Sequence, residues 1–357
     1  MKVLVTGGCG FVGSAICRGL VAHHADCQVT AIDNFRRVGA ETNREPLQRL
    51  GVSIVHGDVR LESDWSALGA FDWVIDAAAE PSVLAGTTAA AAPGTGTTSR
   101  QLVEHNLVGT INLLEAAAHW QAGVVLLSTS RVYSIPALAS LPLAEADDDR
   151  GPSFTIDASQ PLPAGVSPAG ITEDFSTVAP VSLYGATKLA SETLALEYAH
   201  RYGTPLFINR CGVMAGAGQF GRADQGIFSW WIRQWIAKQP LAYIGFGGRG
   251  LQVRDCLHPD DLTTLILLQM QSARGAVPGL FNVSGGAASA TSLAQLSQWC
   301  AERCGPHAVG TAHESRPYDL AWVVLDHSRV TERFGWRPAR STSSILAEIA
   351  DSSLPKD

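Results

Sequence analysis

Tyr184 and Lys188 are the two residues whose types and spacing most clearly could do chemistry, because they stand four positions apart in the segment YGATK. Residues at i and i+4 share one face of a helix, and a neighbouring ammonium favours the phenolate form of a tyrosine. The spacing therefore predicts that Lys188 lowers the pKa of Tyr184 toward neutrality, so that the phenol acts as a general base. The same pattern also occurs on ordinary solvated helix faces, so its meaning depends on what surrounds it.

Hydroxyl groups precede this pair in the segment 128–133, STSRVY, at the end of an apolar run. Ser128, Thr129 and Ser130 leave a predicted strand with hydroxyls that can hydrogen-bond a reacting alcohol. An ordinary Ser/Thr turn has the same composition and is the alternative at this position.

A glycine-rich segment, TGGCGFVG at 6–13, follows the first apolar run and opens a helical pattern. Gly7, Gly10 and Gly13 permit a sharp turn, close approach of the backbone to a pyrophosphate, and close packing of the helix on the sheet. Asp33 ends the second apolar run about 20 residues further on, where a carboxylate accepts both ribose hydroxyls and repels a 2′-phosphate. The spacing predicts NAD rather than NADP, although the two arginines that follow closely weaken this preference slightly. The alternative is that Asp33 only caps the segment after it.

Asp58 follows the third apolar run, in the segment HGDVR, at the carboxyl edge where open sheets bind ligands. The position suits a contact to the adenine of a dinucleotide. An aspartate that stabilises the turn fits the sequence about as well.

The elements that must position these residues alternate between two patterns. Apolar runs predict strands at 1–6, 28–32, 52–56, 73–77 and 124–128, and helical patterns occur at 12–24, at 103–120 and from Leu183 onward. This alternation predicts an α/β protein whose doubly wound parallel sheet is covered by helices on both faces. We expect a Rossmann domain at 1–212, with an insert at 134–182, and mainly a smaller α/β substrate-binding lobe at 213–357, from which some elements return to the sheet.

Two stretches interrupt the alternation. The segment 85–98 is rich in Ala, Gly and Thr and predicts a surface excursion. The segment 134–169 contains many prolines and an acidic patch but no clear period, so we expect a lid or a substrate-binding loop, with a disordered insert as the alternative.

Composition limits the class of protein. The 357 residues carry a net charge of −7 and are 46% hydrophobic, which argues against a nucleic-acid binder, an anionic-membrane binder or a disordered chain. Seven cysteines without a C-x-x-C motif predict reduced thiols and no metal site, including at the pair Cys300 and Cys304. No apolar run is long enough to cross a bilayer or has the form of a signal peptide, so we expect a cytoplasmic protein.

Taken together and in order, these motifs resemble the extended short-chain dehydrogenase/reductase family of NAD-dependent nucleotide-sugar epimerases and dehydratases. The resemblance spans nearly the whole chain and also includes NLVGT at 106–110, QVRD at 252–255 and FNVSGG at 281–286. It implies a catalytic trio in which Tyr184 takes the proton of a sugar hydroxyl, Thr129 holds that oxygen, and Lys188 binds the nicotinamide ribose.

Within the family, the 4,6-dehydratases carry an Asp-Glu pair where this chain has Ser130 and Arg131. Loss of that acid/base pair argues against elimination of water. The segments STSRVYS and GLQVRDCLH instead resemble the CDP-paratose (CDP-tyvelose) 2-epimerases, which implies epimerisation at C2 of a nucleotide-diphospho-sugar through a transient keto-sugar. A 4-epimerase of a UDP-sugar with the same trio, a net reductase and a non-catalytic NAD sensor stay open.

The resemblance also implies binding residues, a nucleotide-diphospho-sugar as partner, and a homodimer formed through the helix around Tyr184. The predicted NAD-binding residues are Gly7, Gly10, Phe11, Val12, Gly13, Asp33, Asn34, Asp58, Val59, Ala77, Ala78, Ala79, Asn106, Ser128, Tyr184, Lys188, Cys211 and Val213. The predicted substrate-binding residues are Pro81, Ser130, Arg131, Gln219, Gln225, Arg254 and Arg316. Arg254 would pair with the pyrophosphate, and a surface salt bridge to Asp255 is its alternative role.

Overall fold

A computed structural model gives the fold, and it describes residues 1–23, 26–85, 97–221, 225–272, 278–312 and 316–354. The predicted excursion at 85–98 lies almost entirely outside these residues. Described strands are β1 Lys2–Thr6, β2 Gln28–Asp33, β3 Ser53–His56, β4 Trp73–Asp76, β5 Gly123–Thr129, β6 Leu143–Asp148, β7 Gly151–Ile156, β8 Val166–Ser167, β9 Gly170–Ile171, β10 Leu206–Cys211, β11 Val213–Met214, β12 Leu241–Ile244, β13 Val253–Arg254, β14 Cys256–Leu257, β15 Gly279–Val283, β16 Thr291–Ser292, β17 Val309–Ala312 and β18 Trp322–Val323.

Helices occupy most of the connections between these strands. They are α1 Phe11–His23, α2 Arg44–Arg49, α3 Glu62–Ser66, α4 Ser99–Val103, α5 Gly109–Trp120, α6 Ile135–Ala139, α7 Ser182–Tyr202, α8 Ile227–Ile236, α9 Pro259–Ser272, α10 Leu293–Cys304, α11 Ser328–Phe334 and α12 Thr342–Ser353. A π-helical segment, Glu104–Val108, joins α4 to α5, so the predicted helix at 103–120 contains one wider turn.

The central sheet has seven parallel strands in the order β15-β10-β5-β4-β1-β2-β3. The predicted doubly wound sheet is therefore confirmed. Successive side chains of a strand point to opposite faces. Val3 and Val5 accordingly pack with α1 and α9, whereas Leu4 packs with α5 and α7 on the other face. The chain reverses its direction of winding between β1 and β4, and at this point the carboxyl ends of the strands form the crevice where α/β proteins bind ligands.

Residues after β10 build a smaller lobe beside the sheet. Its core includes Trp231 and Trp235 of α8, packed with α10 and α12. Two-stranded pairs, β11 with β14 and β12 with β17, and the three-stranded sheet β16-β13-β18 complete this lobe. The chain also returns to the Rossmann sheet, because β15 pairs with β10 and α9 packs on α1.

The segment 134–169 is ordered, so the alternative of a disordered insert is wrong. It contains α6 and the antiparallel hairpin β6–β7, in which Leu143 faces Ile156. Leu138 and Leu141 are buried in a cluster that also contains Val253 and Trp322 of the lobe. Some of the partners that order this segment therefore lie more than 100 residues away along the chain.

The seven cysteines are all free thiols in the structure. Among the described residues, no helix is both long enough and apolar enough to cross a membrane. The same residues contain no group of three or more His, Cys, Asp or Glu side chains placed to hold a metal ion.

Candidate active site

Thr129 and Tyr184 meet where the carboxyl end of β5 faces the first turn of α7. The Thr129 hydroxyl is in hydrogen-bond contact with the Tyr184 phenol, and it also accepts a bond of 3.2 Å from the backbone N–H of Arg131. Gly185 makes this approach possible, because a Cβ there would lie 2.2 Å from the Arg131 carbonyl oxygen. The structure thus brings two of the three predicted catalytic residues into direct contact.

Tyr184 is only 7% exposed, and burial raises the pKa of its phenol to about 12. The prediction of a pKa near neutrality is therefore wrong. The cost of removing a phenolate from water exceeds the stabilisation from nearby groups. The Thr129 hydrogen bond and the Arg131 guanidinium both act to lower this pKa.

Lys188 lies one helical turn after Tyr184 and is buried. Its ammonium donates a hydrogen bond of 3.0 Å to the Leu127 carbonyl oxygen of β5. The side chain is therefore held at the edge of the sheet, and its predicted effect on the pKa of Tyr184 stays a prediction.

The glycine-rich turn between β1 and α1 has the shape of a dinucleotide cradle. Gly7 has φ +59°, and its carbonyl oxygen accepts a bond of 2.9 Å from the Gly10 N–H. A Cβ at Gly13 would lie 2.2 Å from that same oxygen, so only glycine allows α1 to begin this close to β1. Phe11, Val12 and Gly13 form the first turn of α1, whose amino end favours a pyrophosphate. These residues fit NAD.

Asp33 stands at the carboxyl end of β2 and is buried. Its Oδ2 accepts from the Cys9 N–H at 3.0 Å, and its Oδ1 accepts from the Phe35 N–H at 2.8 Å. Burial raises the pKa of Asp33 despite these bonds. Each carboxylate oxygen has a second lone pair, so both can still accept a ribose hydroxyl. The ribose contact stays a prediction.

Asp58 stabilises its own turn, the alternative that the sequence left open. The Arg60 side chain donates to both of its carboxylate oxygens, at 2.9 and 2.6 Å, and Asn34 donates at 3.0 Å. These donors hold the pKa of Asp58 well below its usual range. The pair Asn34 and Asp58 joins the ends of β2 and β3, where the adenosine of a dinucleotide would lie.

The loop after β4 lies against the glycine-rich turn. A Cβ at Gly7 would be 2.9 Å from the Ala78 Cα, so Ala77 and Ala78 form one wall of the predicted cofactor site. Asn106 holds this loop, because its side chain accepts from the Glu80 N–H at 2.8 Å and donates to the Glu80 carbonyl at 3.0 Å. The remaining predicted cofactor residues are placed as follows: Val59 in the turn after β3, Ala79 in the loop after β4, Ser128 in β5, Cys211 at the end of β10, and Val213 in β11.

A cavity of about 150 Å³ lies between the Rossmann edge and the smaller lobe. The structure brings four of the predicted substrate residues to its wall, together with five polar residues that were not among the predicted substrate residues. The predicted four are Arg131, Gln225, Arg254 and Arg316, and the additional five are Gln252, Thr291, Ser292, Tyr318 and Asp319. The sequence signals only two of the additional residues. Asp319 is an acidic residue three positions after Arg316, and Gln252 is the first residue of the QVRD motif.

Three arginines give this cavity a positive wall. Arg254 forms an ion pair of 3.1 Å with Asp319, and Arg131 donates at 3.1 Å to the Tyr318 carbonyl oxygen. Burial lowers the pKa of Arg131 to about 10, and the charges of Arg254 and Arg316 act in the same direction. Because the three cations repel one another, an anion between them would relieve the repulsion.

The alternative salt bridge between Arg254 and Asp255 is wrong. Asp255 is buried on the other side of the strand, where it accepts from the Leu325 N–H at 2.8 Å. Burial raises the pKa of Asp255 to about 6. Arg254 is thus directed into the cavity with Asp319 as its only ion-pair partner among the described residues.

Three predicted substrate residues do not line the cavity. The Gln219 amide is used inside the lobe, where it donates to the Met214 carbonyl at 2.8 Å and accepts from the Ser229 hydroxyl at 2.7 Å. Pro81 lies in the loop after β4, and Ser130 is buried in the turn after β5. Any substrate contact by these three stays a prediction.

The family model for the NAD dependent epimerase/dehydratase family matches residues 3–284. This chain belongs to that family. Its cofactor is accordingly NAD, and it is an enzyme of the nucleotide-sugar epimerase type. The match covers the glycine-rich cradle, the Thr129–Tyr184 contact and the strand that carries Arg254.

Curated relatives of this family member span its whole length. It is 28% identical to CDP-paratose 2-epimerase of Salmonella typhi, with 98% of each chain covered. It is 26% identical to UDP-glucose 4-epimerase of Corynebacterium glutamicum, with 98% of this chain and 94% of that protein covered.

Among solved structures, UDP-glucuronic acid 4-epimerase of Bacillus cereus, in complex with UDP-glucuronic acid and NAD, matches with a TM-score of 0.77. The identity is 24%, and 99% of each chain is covered, so the likeness establishes the fold. The predicted family membership and the predicted Rossmann fold are both confirmed.

Proposed function

We propose that this enzyme inverts C2 of a CDP-linked sugar by transient oxidation to a keto-sugar and re-reduction. The observation that carries the proposal is the arginine-lined cavity, one of whose wall residues, Arg131, also acts electrostatically on Tyr184. Arg131, Arg254 and Arg316 suit a diphosphate, because planar guanidinium groups pair with phosphate oxygens in a bidentate manner. The curated CDP-paratose 2-epimerase, similar over nearly its whole length, supports the choice of base and carbon.

In the proposed reaction, the glycine-rich turn and Asp33 would hold NAD, which when bound would supply a reversible hydride acceptor for the sugar carbon. Tyr184 takes the proton of the sugar hydroxyl, so that the O–H electron pair forms the carbonyl as the hydride leaves carbon. Thr129 donates a hydrogen bond to the reacting oxygen and keeps it beside the phenol.

Inversion requires the keto-sugar to present its opposite face before the hydride returns. Tyr184 then gives the proton back to the new alkoxide. Lys188, held by the Leu127 carbonyl, supplies a fixed positive charge beside the base. The hydride and the proton removed from the sugar in the first step both return to it in the second, so no net oxidation of the sugar is expected.

A UDP-sugar 4-epimerase is the second candidate. The same trio could oxidise C4 if the sugar were rotated in the cavity, and the curated and structural relatives include 4-epimerases. The three arginines do not distinguish the two reactions, since both substrates carry a diphosphate.

The deciding experiment is an NMR time course in D₂O with CDP-, UDP-, GDP- and dTDP-sugars. Conversion of a CDP-sugar to its C2 epimer without deuterium in the product supports the proposal, because direct hydride transfer excludes solvent hydrogen. Conversion of a UDP-sugar at C4 refutes the C2 assignment and establishes the second candidate. Net formation of NADH in proportion to substrate refutes both and indicates a dehydrogenase.

We also propose that the enzyme acts as a homodimer through α7. Leu183, Leu196 and Tyr202 expose large apolar side chains along this helix. Sedimentation at micromolar concentration tests this: a Leu196→Glu variant is expected to be monomeric, and a dimer that persists in this variant contradicts the interface.

A further inference from the structure

Two buried side-chain atoms among the described residues lack a hydrogen-bond partner, and both belong to glutamines that line the arginine-rich cavity. They are Nε2 of Gln225 and Oε1 of Gln252. Buried polar groups are nearly always paired in folded proteins, so an unpaired one calls for a physical reason. Their location in a single cavity indicates that a ligand supplies the missing partners.

The orientation of the Gln252 carboxamide is determined by its surroundings. Its Nε2 donates a long hydrogen bond of 3.4 Å to the Ile244 carbonyl oxygen at the end of β12. Rotation of the amide by 180° would place Oε1 against that carbonyl, so two acceptors would face each other. Oε1 is therefore a fixed acceptor, and its partner must be a hydrogen-bond donor.

Gln252 lies where the base of the proposed nucleotide-sugar substrate is expected. Arg131 lines the cavity and acts electrostatically on Tyr184, which marks the sugar end. Arg254, its ion-pair partner Asp319 and Gln252, which precedes Arg254 by two residues, all line this cavity. A nucleotide sugar with its diphosphate at the arginines thus directs its base toward Gln252.

We propose that Gln252 Oε1 accepts a hydrogen bond from the exocyclic amine of cytosine and thereby selects CDP-linked over UDP- and dTDP-linked substrates. This inference rests on the proposed function, because it assumes a nucleotide diphosphate in the cavity. Uracil and thymine carry a carbonyl oxygen where cytosine carries the amine. With either of them, the Gln252 acceptor would face another acceptor and stay unpaired, which disfavours binding.

Gln225 has the opposite polarity and provides a matched control. Its unpaired atom is a donor, while its oxygen already accepts from Arg37. Phosphates, ribose oxygens and the O2 carbonyl of every pyrimidine accept hydrogen bonds. Loss of the Gln225 donor is therefore expected to weaken CDP and UDP by the same factor.

The test is titration calorimetry of the NAD-loaded enzyme with CDP and with UDP. Wild type is expected to bind CDP at least tenfold more tightly than UDP. Q252L is expected to reduce this ratio to within about threefold, mainly by weakening CDP. Q225L is expected to weaken both nucleotides and leave the ratio unchanged.

Three results overturn the inference: a wild-type enzyme that binds UDP as tightly as CDP, a ratio that persists in Q252L, or a ratio that collapses only in Q225L. In each case both nucleotides still bind, so the proposed nucleotide-sugar function survives. Binding of neither nucleotide, or binding unaffected by Arg254→Met, is the distinct result that refutes the proposed function itself.

Discussion

The Tyr184 phenol shows how burial and charge compete at a single residue. Removal from water raises its pKa to about 12, while Thr129 and Arg131 act in the opposite direction. A phenol with this pKa holds its proton at neutral pH. A positive charge placed beside it would favour the phenolate and make Tyr184 a stronger base.

Substitution of Tyr184 by Phe removes the proton acceptor and keeps the ring. General-base catalysis contributes about 10²- to 10⁴-fold, so turnover is expected to fall by that factor. The cradle around Gly7 is remote from this change, and NAD is expected to co-purify as in wild type. Product formation by NMR and cofactor absorbance after gel filtration measure the two properties. Wild-type turnover in Y184F would refute the role of the phenol.

Arg131 is the cation whose charge lowers the pKa of Tyr184. Its replacement by Met is expected to raise the apparent pKa of the base by about one unit, because an adjacent positive charge favours the phenolate. Activity at a pH below this pKa then falls, and the rising limb of the kcat/KM profile shifts to higher pH. R316M serves as control, since it is expected to weaken nucleotide binding without moving the limb. An unshifted profile in R131M contradicts the electrostatic role.

At the residue scale, the sequence predicted which groups meet but not what surrounds them. The spacing of Tyr184 and Lys188 placed both on one helix face, and the structure agrees. The pKa was predicted in the wrong direction because the burial of Tyr184 depends on packing between elements. The role of Gln252 was missed for the same reason, since its amide orientation is set by Ile244 of another strand.

A buried ion pair joins the elements that carry the catalytic residues. Glu192, one turn after Lys188 in α7, accepts from the Arg210 guanidinium of β10 at 2.7 Å and from the Ser128 hydroxyl of β5. Arg210 also stacks over the Tyr133 ring, 5.1 Å from its centroid. Because Ser128 precedes Thr129, this network fixes the strand end that presents the Thr129 hydroxyl to the Tyr184 phenol.

Replacement of Glu192 by Gln leaves a buried guanidinium without its counter-charge. Breaking one partner of a buried pair costs about 3–5 kcal/mol, so the free energy of unfolding is expected to fall by that amount. The double variant E192Q/R210M is expected to recover part of the loss, since it removes the unpaired charge. Urea unfolding measures both.

The exposed pair of Glu45 and Arg49 in α2 is the matched control. Surface pairs contribute about 0–1 kcal/mol, so E45Q is expected to be nearly neutral. If E192Q were equally neutral, the buried pair would have no part in holding β5, α7 and β10 together.

At the element scale, alternation of apolar runs and helical patterns was sufficient to predict the parallel sheet, because its central strands, such as β4 and β10, are buried on both faces. The hairpin β6–β7 was not predictable in this way. Its apolar residues pack against Val253 and Trp322, which lie far along the chain, so no local sequence period predicts the hairpin. Local patterns identify elements that pack on their sequence neighbours, whereas the substrate side of this protein is assembled from distant segments.

The whole molecule joins its two halves at the cofactor edge as well as through the returning strand β15. The Phe220 ring lies against Gly39, where a Cβ would be 2.0 Å from the ring, and Arg37 donates a hydrogen bond to Gln225. The loop that follows Asp33, the last residue of β2, is thus in contact with the lobe that lines the substrate cavity. Sequence patterns give no indication of this contact, since neither segment has a regular period.

Burial also determines how the stability of the whole molecule depends on pH. The pKa values of Tyr133 and Tyr184 are raised to about 12 from 10, and those of Cys211 and Cys256 to about 12 from 9. Above pH 9 the unfolded chain therefore loses protons that the folded chain retains. The stabilisation by these groups is complete below pH 9 and is lost as the pH rises toward 12.

The free energy of unfolding is accordingly expected to fall with increasing pH above 9, by up to about 1.4 kcal/mol per pH unit for each fully ionised group in the unfolded chain. Urea unfolding under reducing conditions between pH 8 and pH 10.5 measures the slope. Cys256→Ala removes one titrating thiol. Its slope above pH 9 is therefore expected to be shallower than that of wild type by up to about 1.4 kcal/mol per pH unit, the contribution of one group. Equal slopes in the two proteins would show that the Cys256 thiol ionises alike in the folded and unfolded chains, and the packing of the lobe core around it would then be looser than the structure indicates.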